Sequence, residues 1–364
     1  MVNTWSGRFH RIQVEGSTRR EDAATATLGV WMSAGIAIDG WAHNTHGARL
    51  ETFLTPWHAV LYSGFAAAAS WMLVVVNRRL GPRVRTVDAV PLGYGLGLVG
   101  VALFALGGLG DGLWHTLFGV EVNIEALLSP THLMLFVGAL LVLTTPLRTR
   151  SARTASGTPR SLLPAIVSLA VATQVVMFFF LYISAVLQTP PSGPAFGRFA
   201  RLVYRSDVAH ELWTVRVLAE ILVTNLLWTA PVLLLVRRFR AQPGCCTILG
   251  SLVAVPAVLL AGTKAGLLAT SFVAGGAAAD AMIAIAKRRH WREPATLIAV
   301  GCAVPLATWA TYYAVVALAL GGVAFAADLW VGSIVLAVLA GTFLAALIAP
   351  AGIAHAPATE PLSA

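Results

Sequence analysis

Long apolar runs separated by short polar stretches set the pattern of this chain. A helix needs about 20 mainly apolar residues to cross the hydrocarbon core of a bilayer. Runs of that kind predict ten spans: 25–43, 56–77, 88–113, 130–147, 162–187, 209–236, 245–262, 265–286, 295–319 and 327–349. The expected fold class is therefore all-α, a polytopic integral membrane helical bundle. The polar remainder divides the chain into a tail at 1–24, two hairpins at about 25–77 and 88–147, a third at 162–236, four C-terminal spans at 245–349 and a tail at 350–364. Within the third hairpin the long loop 188–208 (QTPPSGPAFGRFARLVYRSDV) has the length of a lid or small cap, whereas GTK at 262–264 makes a very short link. The C-terminal spans are rich in small residues (GLLATSFVAGGAAADAM), which suit close helix packing or contacts within a homo-oligomer, and they read as scaffold.

Composition agrees: 57% of residues are hydrophobic, 11% are charged and the mean hydropathy is +0.77, which excludes an ordinary soluble domain. The net charge of +9 could suggest nucleic acid, but its distribution argues against that partner. Nineteen of the 25 Lys and Arg lie in the N-terminal tail and in 78–85, 148–160, 237–240 and 287–292, which are alternate loops. By the positive-inside rule both termini then face the cytoplasm of a plasma or inner membrane, and loops 44–55, 114–129 and 188–208 face outward. The N-terminal tail has no apolar stretch or small-residue cleavage site, so no cleaved signal peptide is expected. Cys245, Cys246 and Cys302 form neither a disulfide framework nor a metal-binding CxxC, and read as small buried hydrophobes.

The polar residues at the predicted helix ends are not scattered. Asp39-Gly-Trp-Ala-His43 recurs as Asp111-Gly-Leu-Trp-His115, and E-x-x-L-[ST]-P-x-H-x-x-L-[YF]-x-G matches both 51–64 and 125–138. The two elements recur in the same order, 72 to 74 residues on, which points to a duplicated hairpin. Asp and His at i and i+4 share one helix face. Thr55-Pro56 and Ser129-Pro130 are strong helix starts, a capping hydroxyl followed by proline at the first helical position. They put His58 and His132 in the first turn of the returning helix, beside the end of its partner. Asp39, His43 and His58, and likewise Asp111, His115 and His132, could thus present one carboxylate and two imidazoles at a membrane boundary.

Such a set can hold a metal ion with a position left open, and nitrogen and carboxylate donors suit copper(II), zinc, iron or manganese. Glu51 and Glu125, seven residues before each second histidine, are candidates for a further ligand or a catalytic general base. His46 has no counterpart in the second copy and reads as a surface histidine. On the sixth span Asp207, His210 and Glu211 share one face, with His210 and Glu211 as further ligands or a proton relay. Arg216 and Glu220, at i and i+4, would pair within the membrane. Trp41, Trp57, Trp114 and Trp213 read as an aromatic belt.

These motifs resemble the C subunit of the copper membrane monooxygenases, the particulate methane and ammonia monooxygenases. That subunit carries Asp-x3-His and, twelve residues on, a histidine following Thr-Pro-Ser. The matching stretches here are Asp39-x3-His43 with Thr55-Pro56-Trp57-His58, and Asp111-x3-His115 with Ser129-Pro130-Thr131-His132. They depart in spacing, 14 and 16 intervening residues, and in being duplicated in a chain with more spans. The resemblance implies copper ligation by each triad, with oxidation of a small apolar substrate by dioxygen and an electron donor or partner membrane subunit. Two further readings stay open: a zinc hydrolase with Glu51 or Glu125 as base, and a metal or proton transporter. The leading expectation is a copper-dependent oxidoreductase with an outward-facing mono- or dinuclear centre and a hydrophobic or lipid-like substrate.

Overall fold

A computed structural model describes residues 16–46, 55–80, 88–119, 123–152, 158–202 and 206–350. Among these the regular elements are all helical, and one isolated bridge pairs Ser192 with Val323. In chain order they are α1 (Arg19–His46), α2 (Pro56–Asn77), α3 (Gly95–Phe118), α4 (Asn123–Leu128), α5 (Pro130–Leu143) and α6 (Thr145–Ser151). After α7 (Pro159–Phe179) and a 3-10 turn (Leu181–Ile183) come α8 (Gly193–Ala200), α9 (Ser206–Phe239), α10 (Cys245–Arg288), α11 (Glu293–Ala319) and α12 (Ala327–Ile348).

Seven helices, α2, α3, α7, α9, α10, α11 and α12, are long and apolar enough to cross a membrane, which fits an integral membrane protein. The pair α5–α6, bent by 43°, would make an eighth if it is one span. The bend falls before Pro146, which has no N–H for the helical ladder; close to it the Arg148 guanidinium donates to the Leu141 carbonyl at 2.6 Å. Helix α1, loaded with Asp39, His43, Asn44 and His46, is not among the seven. Predicted spans 245–262 and 265–286 are one 44-residue helical segment that turns back at Gly262 (φ 76°). The turn makes an antiparallel pair. A Cβ on Gly250 would clash with the Phe272 carbonyl, and one on Gly276 with that of Cys246. Asp280 closes it, accepting from the N–H of Cys246 (3.2 Å) and of Thr247 (2.9 Å) and from the Thr247 hydroxyl (2.6 Å). Lys264, at the tip, is exposed.

The buried apolar residues form two clusters joined by α7. One, around Trp213, Trp228, Trp309 and Tyr312, packs α7 and α9–α12. The other, around Met32, Met72, Phe104 and Leu135, packs α1, α2, α3 and α5 against Val171 and Val175 of α7.

Within the second cluster, α1–α2 and α3–α5 are antiparallel pairs with matching close approaches. A Cβ on Gly35 would sit 2.6 Å from Leu61 Cα, and one on Gly64 would sit 2.8 Å from Met32 Cα. In the other pair the corresponding distances are 3.1 Å from Gly107 to Leu135 N and 2.7 Å from Gly138 to Phe104 N. Gly35 and Gly107 are each four residues before the motif aspartate, and Gly64 and Gly138 each six after the second motif histidine. Backbone contact there sets how near the histidine of the returning helix comes to the aspartate.

Candidate metal centre

Helix α1 persists through His46, so Asp39 and His43 do stand one turn apart on one face, and α3 carries Asp111 and His115 in the same way through Phe118. The returning helices begin as the Thr-Pro and Ser-Pro pairs demand. Thr55 Oγ1 accepts from the N–H of His58 at 3.1 Å and Ser129 Oγ from that of His132 at 3.3 Å, with proline at the first helical position of each. The caps fix where the first turn of each helix starts, and hence where its histidine stands.

Two groups result. Asp39 Oδ2 lies 3.8 Å from His43 Nε2 and 3.5 Å from His58 Nε2. Asp111 Oδ2 lies 3.5 Å from His115 Nε2, and Asp111 Oδ1 lies 3.4 Å from His132 Nδ1. In each group one donor atom per residue lies within 4.8 Å of the others, a set able to surround a single ion. The aspartate and first histidine are more enclosed in the second group, Asp111 and His115 being 2% and 4% exposed against 14% and 24% for Asp39 and His43, whereas His58 at 8% is more enclosed than His132 at 20%.

Both groups line one cavity of about 510 Å³. From the triads it continues along the helices past Ile36, Leu61, Phe104, Leu135 and Ala139, and α7 closes it with Val175, Phe178 and Phe179. Leu181 and Tyr182 also line it, as does Gln188, the first residue of the segment 188–208 expected to act as a lid. Further on, that segment turns away: Gly193 N–H donates to the Gly322 carbonyl at 3.1 Å and Ala324 N–H to that of Pro191 at 2.8 Å. Tyr62 joins the two halves of the cavity. Its ring is 6.2 Å from those of both His58 and Phe104, and a Cβ on Gly108, one turn before Asp111, would touch its hydroxyl at 3.0 Å.

The remaining expected site residues lie elsewhere. Glu125, on α4, is exposed and is not among the cavity-lining residues, although its neighbours Ile124 and Leu127 are. Glu51 lies outside the described residues. His210 and Glu211 are exposed at the start of α9, with the His210 ring 5.9 Å from Phe196, and neither reaches the triads. Arg216 and Glu220 pair as expected at 3.1 Å, and Arg216 also donates to the Thr189 carbonyl at 2.8 Å. Trp213 is buried beneath Arg216, with its ring centroid 5.0 Å from that of Phe199, and so is a core residue and not part of an aromatic belt. His46 packs with Trp41 and Trp57.

Tyr62, Phe104 and the aromatic wall of α7 were not expected at the site. Tyr62 did leave a signal: it and Phe136 fill the same [YF] place, four residues after the second histidine of each motif, and both line the cavity.

Fold and site together define a helical membrane protein with two Asp/His groups of metal-ligating type in one internal cavity. No protein-family model, curated protein or solved structure matches the chain.

Proposed function

We propose that this protein is a membrane metalloenzyme that binds copper on the triads Asp39–His43–His58 and Asp111–His115–His132 and oxidises a small hydrophobic or lipid-like substrate with dioxygen. The observation that carries the reading is the shared cavity, in which two ligand sets stand in one chamber whose other walls are mostly aliphatic and aromatic. Its volume is that of a small-molecule site. Imidazole and carboxylate donors without thiolate suit copper(II) among the first-row metals, with zinc and iron as the alternatives.

Copper bound there would supply the one-electron chemistry that reaction with dioxygen requires. The chain's own residues do the rest. The aspartates balance the cation charge, and the helix-start caps hold His58 and His132 in place. Leu61, Phe104, Leu135 and Phe136 offer an apolar surface to a substrate arriving from the bilayer, and they exclude water. Tyr62 brings a phenolic hydroxyl into the same space. Insertion of one oxygen atom, with the other leaving as water, takes two electrons and two protons from outside the chain, hence an electron donor or partner subunit. The excess of Lys and Arg in alternate loops supports cytoplasmic termini and an outward-facing centre.

The hydrolase reading loses one of its two candidate bases, because Glu125 is exposed and off the cavity wall, while Glu51 lies outside the described residues. The test is metal analysis of the purified full chain beside His58→Ala and His132→Ala. The proposal expects stoichiometric copper that falls in both variants, a nitrogen-ligated Cu(II) paramagnetic resonance signal, and oxygen uptake with reductant and an apolar substrate. Stoichiometric zinc without copper would transfer the site to hydrolysis, and no bound metal would end both readings.

A further inference from the structure

The two triads are built on the same motif but differ at its variable position. In [ST]-P-x-H the residue is Trp57 in the first hairpin and Thr131 in the second. Thr131 is buried, and its hydroxyl donates to Asp111 Oδ1 at 2.9 Å. Ser129 extends the contact, its hydroxyl lying 3.2 Å from that of Thr131 and 2.7 Å from His132 Nδ1. His115 Nδ1 lies 3.2 Å from the Gly119 carbonyl. Asp111 and His115 are thus held from outside by hydrogen-bonding groups, and Ser129 holds His132 at the nitrogen that faces Asp111.

Tryptophan at the same place in the first hairpin turns to other work. The Trp57 ring meets Trp41 edge-on at 5.6 Å and stacks over His46 at 6.3 Å. Asp39 Oδ1 is left buried with no hydrogen-bond partner. Asp39 and His43 are also more exposed than their counterparts Asp111 and His115.

We infer that the two triads are unequal metal sites: Asp111–His115–His132 binds tightly and holds a resident ion, Asp39–His43–His58 binds weakly and exchanges, and Thr131 is the positioning residue that sets the difference. This rests on the metal-binding reading above. Outer hydrogen bonds fix the orientation of ligands, and losing one weakens a metal by roughly 10- to 100-fold. An opposing effect exists, because a cation relieves the orphaned oxygen of Asp39. That relief concerns one atom, whereas Thr131 and Gly119 already hold Asp111 and His115 in the second triad.

The experiment is a titration of the metal-stripped full chain in detergent with Co²⁺, followed by its visible absorption and by equilibrium dialysis. Two steps are expected, separated by at least roughly 10-fold in affinity. Asp111→Asn should remove the tight step and Asp39→Asn the weak one. Thr131→Val should weaken the tight step by roughly 10-fold or more and leave the weak step alone, while Thr131→Ser, which keeps the hydroxyl, should bind as the wild type does. A purely structural role for Thr131 would instead shift both steps or the melting temperature and would not distinguish valine from serine. Two ions of equal affinity, loss of the tight step in Asp39→Asn, or a single ion abolished by either variant would overturn the inference while leaving metal binding intact. No Co²⁺ binding at all would strike the proposed function itself.

Discussion

Replacing Gly138 by alanine sets two well-characterised effects against each other. Alanine in a helix interior is favoured over glycine by about 1 kcal/mol, so propensity alone predicts a more stable protein. The packing predicts the reverse, since the new Cβ would stand 2.7 Å from the backbone N of Phe104 and 2.9 Å from its Cα. Carbon contacts settle at about 3.5–4.0 Å, so α5 and α3 must part locally by about 1 Å. Overpacking of this kind costs about 1–3 kcal/mol, leaving the variant less stable by up to about 2 kcal/mol. The displacement also moves His132, six residues earlier on α5, away from Asp111, from which it is now 3.4 Å. Metal sites tolerate errors of only about 0.2 Å, so the second triad should lose most of its ion. Thermal unfolding in detergent and elemental analysis would measure both effects. Gly332→Ala, on an open face of α12 with nothing within 4 Å, is the control and should be neutral or stabilising. A melting temperature for Gly138→Ala at or above wild type, with full metal content, would refute the close-approach reasoning.

Gly64→Ala should repeat the loss at the first triad, because its Cβ would meet Met32 Cα at 2.8 Å, and elemental analysis should show the second site still filled. Asp280→Leu removes the acceptor from the N–H groups of Cys246 and Thr247, and a calorimetric loss of about 1–3 kcal/mol is expected with metal content unchanged. Outside the spans, the Arg79 guanidinium, bonded at 2.7 Å, holds the Glu21 carboxyl below its ordinary value of 4.5. A carboxylate whose folded pKa is lowered stabilises the fold above its unfolded pKa and loses that contribution as pH falls through the folded value. A wild-type melting temperature should therefore exceed that of Glu21→Gln at pH 7 by a margin that shrinks below about pH 4.5, and a margin constant down to pH 3 would contradict the pairing. Removing metal with a chelator should lower the melting temperature and re-addition restore it; at a free ion concentration 100 times Kd the shift corresponds to about 2.7 kcal/mol per site.

Much of this protein was legible in the sequence because the deciding interactions are local. Apolar run length predicts membrane-crossing helices, seven of which the fold contains as continuous or hairpin segments. Thr55-Pro56 and Ser129-Pro130 cap within one turn, and an aspartate four residues before a histidine shares its face wherever helix persists. Membership of both triads follows from those two facts together with a hairpin connection. Other outcomes depended on what packs across the bundle. Glu125 keeps the expected sequence spacing, yet α4 turns it off the cavity wall; His210 and Glu211 sit at the start of α9, which packs with α7 and α10–α12 rather than on either hairpin. Trp213 looked like a boundary residue until Phe196, Phe199 and Arg216 closed over it. Spacing could not say whether the two triads share one space. That was decided by Tyr62 crossing from α2 to Gly108 of α3 and by α7 closing the chamber from behind, contacts between residues tens of positions apart. The same holds for Thr131: its sequence position is that of Trp57, and only the approach of α5 to α3 turns its hydroxyl into a hydrogen bond to Asp111.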